Sequence, residues 1–162
     1  MNKTNAMRLL DAAGIVYEVF TYTVDENDLS GTHIADQIGL AYARVFKTLV
    51  ARGDRTGPVV LCIPTDREID LKKAARVTGN KRLELLHVKE LLPLTGYIRG
   101  GCSPIGMKKR FPTYIDASAL SFETITVSAG VRGAQLLLSP TALLAYLQAK
   151  SDDLTVEIAG NT

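Results

Sequence analysis

The sequence predicts an α/β protein of the α+β type, built on a mixed, largely antiparallel sheet flanked by short helices. Three observations lead there. Short runs rich in β-branched residues outnumber the helical patterns, and several of them come in adjacent pairs around glycine-rich turns. The regular strand-helix alternation of a parallel βαβ protein is missing. A length of 162 residues with 46% hydrophobic content suits one domain, 1–162, with a real core, and 22% charged residues is far from the composition of disordered chains.

Each element has a local reason. Ala6, Leu9, Leu10 and Ala13 recur at helical spacing between a capping Thr4 and a stopping Gly14, which predicts a helix over Thr4 to Ala13. Ile15 to Tyr22 alternates as a strand, and the polar run from Asp25 to Gly31 reads as a loop. Thr32 to Ile38 is helical and halted by Gly39. Val45 to Ala51 and Val59 to Ile63 form a hairpin around GDRTGP. Asp70 caps a helix through Val77 that ends at Gly79, a brief strand follows at Leu83 to Leu86, and a helical turn spans Val88 to Leu92. Glycine and proline density between Thr95 and Asp116 predicts strand, special loop, strand. Glu123 to Ser128 and Ala134 to Leu138 make a second hairpin around AGVRG. Ser139-Pro140 starts a last helix, expected through Lys150.

Composition excludes several function classes. No apolar run approaches the roughly 18 residues that span a bilayer, and Arg8 and Asp11 interrupt what would be a signal peptide. A cytoplasmic protein with no membrane association is expected. Cys62 and Cys102 are too few for a disulfide scaffold, and with His33 and His87 isolated, neither metal nor cofactor is expected. The net charge of +2 is uneven, since residues 67–110 hold 11 Lys/Arg against 4 Asp/Glu. Such a sector is either a solvated face or a polyanion-facing surface.

Common catalytic signatures are missing: there is no phosphate-binding P-loop, no nucleophile elbow and no zincin motif. Two features remain. Lys47 in VFKTLVA shares a strand face with Val45, Leu49 and Ala51, so it either snorkels at an edge or points into a cleft. The loop Gly100 to Gly106, followed by Lys108, Lys109 and Arg110, fixes an unusual path in which bare N–H groups can face an anion. It is equally the form of a demanding strand connection. Cys102 lacks a histidine to activate it, and Cys62 reads as core.

RVFKTLVA, DLKKAA, TGYIRGGCSPIGMKKRFPTYID and VSAGVRG, in that order over nearly the whole chain, resemble the YbaK family of aminoacyl-tRNA deacylases. These are stand-alone relatives of the editing domain of bacterial prolyl-tRNA synthetases. The resemblance implies a partly barrel-like sheet and a trans-editing enzyme that clears Cys-tRNA(Pro), and potentially Cys-tRNA(Cys). It makes Lys47 the key lysine beside Thr48, and makes Gly100, Gly101, Ser103, Pro104 and Gly106 part of an oxyanion-type loop. Tyr22 falls at the pocket entrance and Ser128 on the opposite wall. It further implies that the substrate's own thiol is the nucleophile, so that the protein needs only to position and to stabilise charge. Lys72, Lys73, Lys81, Arg82, Lys108, Lys109 and Arg110 would then contact tRNA phosphates, with tRNA choice borrowed from prolyl-tRNA synthetase in a ternary complex. Related branches remove alanine or other small residues with water, and a catalytically silent tRNA- or synthetase-binding module is the remaining alternative.

Overall fold

A computed structural model describes residues 2–157. Among them, α1 (Asn5–Ala12) and β1 (Tyr17–Thr21) lead to α2 (Gly31–Ile38) and the hairpin β2 (Phe46–Gly53) and β3 (Gly57–Pro64). Next come α3 (Leu71–Thr78), β4 (Leu83–Leu85), α4 (Val88–Thr95), β5 (Thr113–Asp116), β6 (Ile125–Ser128), β7 (Ala134–Leu138), α5 (Pro140–Leu147) and β8 (Lys150–Asp152). Side-chain caps fix four helix starts, with Thr4, Ser30, Asp70 and Ser139 accepting backbone N–H bonds. The fold class holds. Strands form an antiparallel sheet in the order β1-β7-β6 and a mixed sheet in the order β4-β2-β3-β5-β8, in which β3-β5 and β5-β8 are parallel.

Several expectations are corrected. The two sheets are joined by a single bridge, Val45 to Thr126, and do not close into a barrel. No strand forms between Gly96 and Gly100, because both glycines take left-handed φ (86° each) and turn the chain. The Tyr97 hydroxyl there donates to the Ile105 carbonyl. The turn at Val88 is a full helix through Thr95. The last helix stops at Leu147, where Gln148 turns left-handed (φ 52°), and Lys150 begins a strand instead.

Burial explains the unbroken apolar run VVLCI. Val60 and Cys62 face one core with Phe46, Val50, Ile125, Val127, Leu136 and Leu138, filled in by Leu10 and Leu143. Val59, Leu61 and Ile63 face the other, against Ala74 and Ala75 of α3. A strand covered on both faces has no polar side to show. The neighbouring β2 is less enclosed: β4 pairs only with Ala51, Arg52 and Gly53, which leaves the outer edge of Phe46 to Leu49 unpaired.

Candidate active site

A cleft of about 460 Å³ opens along that unpaired edge. Residues Val45 to Val50 form its floor, the start of α2 and Thr65 one wall, and Leu85, Leu86, Val88 and Leu91 another. Arg99, Gly100 and Cys102 close it from the loop, and Ser128 and Gln135, directly paired across β6 and β7, from the antiparallel sheet. Lys47 is therefore both an edge residue and a cleft residue.

The half-buried Lys47 has one polar contact, a long 3.4 Å bond from Nζ to the Thr65 carbonyl, and no carboxylate within ion-pair distance among the described residues. Burial pulls its pKa below the ordinary lysine value, and the more distant Glu68 and Asp66 carboxylates partly oppose that. Among the described residues, no Asp, Glu or His lines the cleft. Cys102 does line it, but burial pushes its thiol up to about 12, as it does for the core residue Cys62. Neither sulfur is a thiolate near neutral pH.

Lys47, Thr48, Gly100 and Ser128 thus meet in one cleft. Thr48 places its hydroxyl 3.8 Å from the Cys62 sulfur, and the Ser128 hydroxyl accepts the Gly130 N–H at 3.1 Å. Gly100 is favoured by its φ of 86°, and a Cβ there would also crowd the Arg132 side chain, 3.2 Å from Nε. Gly101, Ser103, Pro104 and Gly106 do not line the cleft. Gly101 spends its N–H on the Ile98 carbonyl at 3.0 Å. Ser103 is buried and accepts the Ile105 N–H, while Pro104 and Gly106 border a second cavity behind the loop. Tyr22 stands outside the cleft, its backbone N–H bonded to Gly133.

The basic residues are dispersed. Lys72 is exposed on α3, whereas Lys73 is held by Asp153 at 2.8 Å and the Thr155 carbonyl at 2.7 Å. Lys81 and Arg82 are exposed, with their backbone N–H groups on Asp54, and Arg82 borders a third cavity. Lys108, Lys109 and Arg110 are exposed, the last two beside the second cavity.

Sequence reading missed Gly31, Thr65, Gln135, Arg99 and Arg132. The signal for Gln135 was a polar residue inside the apolar stretch AQLLL, whereas Thr65, at the end of a strand beside Asp66, gave none. Thr65 and Gln135 are buried in the cleft wall, and their Oγ1 and Oε1 atoms have no partner among the described residues. Gly31 is required by contact, since a Cβ there would sit 1.8 Å from Thr65 Oγ1. Arg132 reaches across the loop and donates from Nε to the Arg99 carbonyl at 2.9 Å.

A two-sheet α+β fold with a cation and a glycine turn facing one cleft defines a small protein equipped to stabilise negative charge. Its relatives give the class a name. Residues 30–146 match the aminoacyl-tRNA editing domain, and the chain belongs to that family, as its motifs suggested. An Enterococcus faecalis protein, EbsC, named as a candidate Cys-tRNA(Pro)/Cys-tRNA(Cys) deacylase, is 47% identical over 155 residues, which cover 96% of this chain and 94% of EbsC. A proline-tRNA ligase of Thermosipho melanesiensis is 28% identical over 98 residues, 56% of this chain and 17% of the ligase. A solved structure described as a candidate trans-editing enzyme for prolyl-tRNA synthetase shares the fold, with a TM-score of 0.82 at 24% identity over 96% of this chain and all of that one.

Proposed function

We propose that this protein is a cytoplasmic trans-editing aminoacyl-tRNA deacylase that removes cysteine from tRNA(Pro), and cysteine from tRNA(Cys) as a second substrate. The observation that carries the reading is the half-buried Lys47, without an ion-pair partner and in a cleft without His, Asp or Glu among the described residues. Such a cleft has a charge stabiliser and no protein general base or activated nucleophile. The substrate supplies the nucleophile. Its cysteine sulfur attacks the ester carbonyl carbon, a C–S bond forms, the bond from that carbon to the ribose oxygen breaks, and the thiol proton ends on the ribose hydroxyl. The products are a four-membered thiolactone and free tRNA. Lys47 stabilises the oxyanion, the Gly100 turn lets substrate approach the backbone, and Thr48 and Ser128 flank the aminoacyl group.

Editing answers a physical need, because a synthetase pocket separates side chains of similar size by only about 10- to 200-fold. The match to a segment of a proline-tRNA ligase supports a transient ternary complex with prolyl-tRNA synthetase as the source of tRNA selectivity. Incubating the purified protein with Cys-tRNA(Pro), Ala-tRNA(Pro) and Cys-tRNA(Cys), with and without synthetase, tests the reading. Thiolactone from the cysteinyl substrates alone is expected. Equal turnover of Ala-tRNA(Pro) shows a water-using deacylase, and no turnover of any substrate shows a binding module.

A further inference from the structure

Behind the glycine loop lies a second cavity of about 370 Å³, bordered by Pro104, Gly106, Lys109, Arg110, Phe111 and Tyr146. Its chemistry differs from that of the third cavity. Among the described residues no Asp or Glu lines it, whereas the third mixes Asp54, Glu84 and Glu90 with Arg52 and Arg82. Phe111 and Tyr146 are half-buried against the core and line the cavity, while Lys109 and Arg110 are exposed. Aromatic faces next to free cations match a base joined to its phosphate, since every base has a face to stack and every linkage a charge to neutralise.

Position argues the same way. Gly100 and Cys102 border the cleft, Pro104 and Gly106 border this cavity, and the buried Ser103 lies between them in the chain. Cys102 and Pro104 are two residues apart, at most about 7 Å along the backbone. One loop therefore borders both the cleft and this cavity.

We infer that the second cavity is a subsite for an unpaired nucleotide of the tRNA 3′ strand, the base stacking on Phe111 or Tyr146 and the phosphate meeting Lys109 and Arg110. The subsite rests on the deacylase reading, and its test separates the two. The first measurement compares kcat/KM for a cysteinylated acceptor minihelix ending in CCA with that for cysteinyl-adenosine, which has no preceding nucleotide. The wild-type protein should favour the minihelix by 10-fold or more. That ratio should fall about 10-fold in Lys109→Glu/Arg110→Glu and in Tyr146→Leu/Phe111→Leu, which keeps apolar bulk and removes the rings. A wild-type protein that does not discriminate, or ratios unchanged in both variants, overturns the subsite. The second measurement needs no turnover: uncharged minihelix carrying 5-iodocytidine at the two cytidines before the terminal adenosine is photocrosslinked to the wild-type protein. Adducts on the peptides holding Phe111 or Tyr146 are expected, and adducts confined elsewhere overturn the subsite. Crosslinking there with no cleavage of any cysteinyl ester overturns the deacylase reading instead.

Discussion

Replacing Lys47 by Ala removes the only cation on the cleft floor, and by Met removes the charge while keeping a flexible side chain of similar reach. Two opposite effects follow from its surroundings. On chemistry, loss of one preorganised charge stabiliser typically costs about 10²- to 10³-fold in rate, or about 2.7 to 4 kcal/mol. On stability, little is lost, because the side chain makes one 3.4 Å hydrogen bond and no ion pair among the described residues. Burial has already lowered the pKa of the group. In the window between that lowered value and the ordinary lysine value, the unfolded chain binds more protons, so stability rises with pH there. At neutral pH the charged Lys47 is therefore a cost to the fold, and Lys47→Met should be as stable as the wild type or more so. Single-turnover cleavage of Cys-tRNA(Pro) and urea unfolding measure the two halves. The rate should also fall toward alkaline pH as Lys47 loses its proton, at a pH below that expected for free lysine. A folded Lys47→Met or Lys47→Ala protein that keeps wild-type cleavage would falsify the role given to this residue.

Other residues make further tests. Gly31→Ala should destabilise the protein by about 1 to 3 kcal/mol in urea unfolding and damage the cleft, because the new methyl group overlaps Thr65 Oγ1. Asp70→Ala should cost about 1 kcal/mol, since its carboxylate caps α3 through the Lys72 and Lys73 N–H groups at 3.1 and 3.0 Å. Iodoacetamide at pH 8 should leave Cys62 and Cys102 unmodified in the native protein and label both after unfolding, as mass spectrometry can show; rapid native labelling of Cys102 would contradict its raised pKa.

What was legible in the sequence is what neighbours along the chain decide. Asp70 and Ser139 announce helix starts, and GDRTGP and AGVRG announce the two hairpins, because cap and turn chemistry acts within a few residues. The parallel pairing of β5 with β3 and β8 was not legible, since it joins distant segments. The KSD of β8 is a strand only because Tyr114 to Asp116 lie beside it. The cleft divides in the same way. Lys47 stood out as a charge among apolar strand residues, and Gly100 as part of a glycine cluster. Gly31 and Thr65 become a pair only when the fold brings them together across 34 positions. Gly101 shows the converse: its place in the motif suggested a free N–H, and the local turn to Ile98 consumes it.

The two shielded sulfurs have a consequence for how the proposed enzyme tolerates its own substrate and its surroundings. A protein that handles a free cysteine thiol can be trapped as a mixed disulfide with it when an oxidant such as peroxide first converts one of the two sulfurs to a sulfenic acid, a step that needs a thiolate. Here Cys62 is fully buried, and Cys102, although it borders the cleft, is nearly so and stays protonated, so neither sulfur is readily oxidised to a partner for the substrate. The same shielding slows attack by peroxide, which follows thiolate character and exposure. Proofreading by this chain should therefore persist through oxidative stress that silences enzymes with a catalytic cysteine.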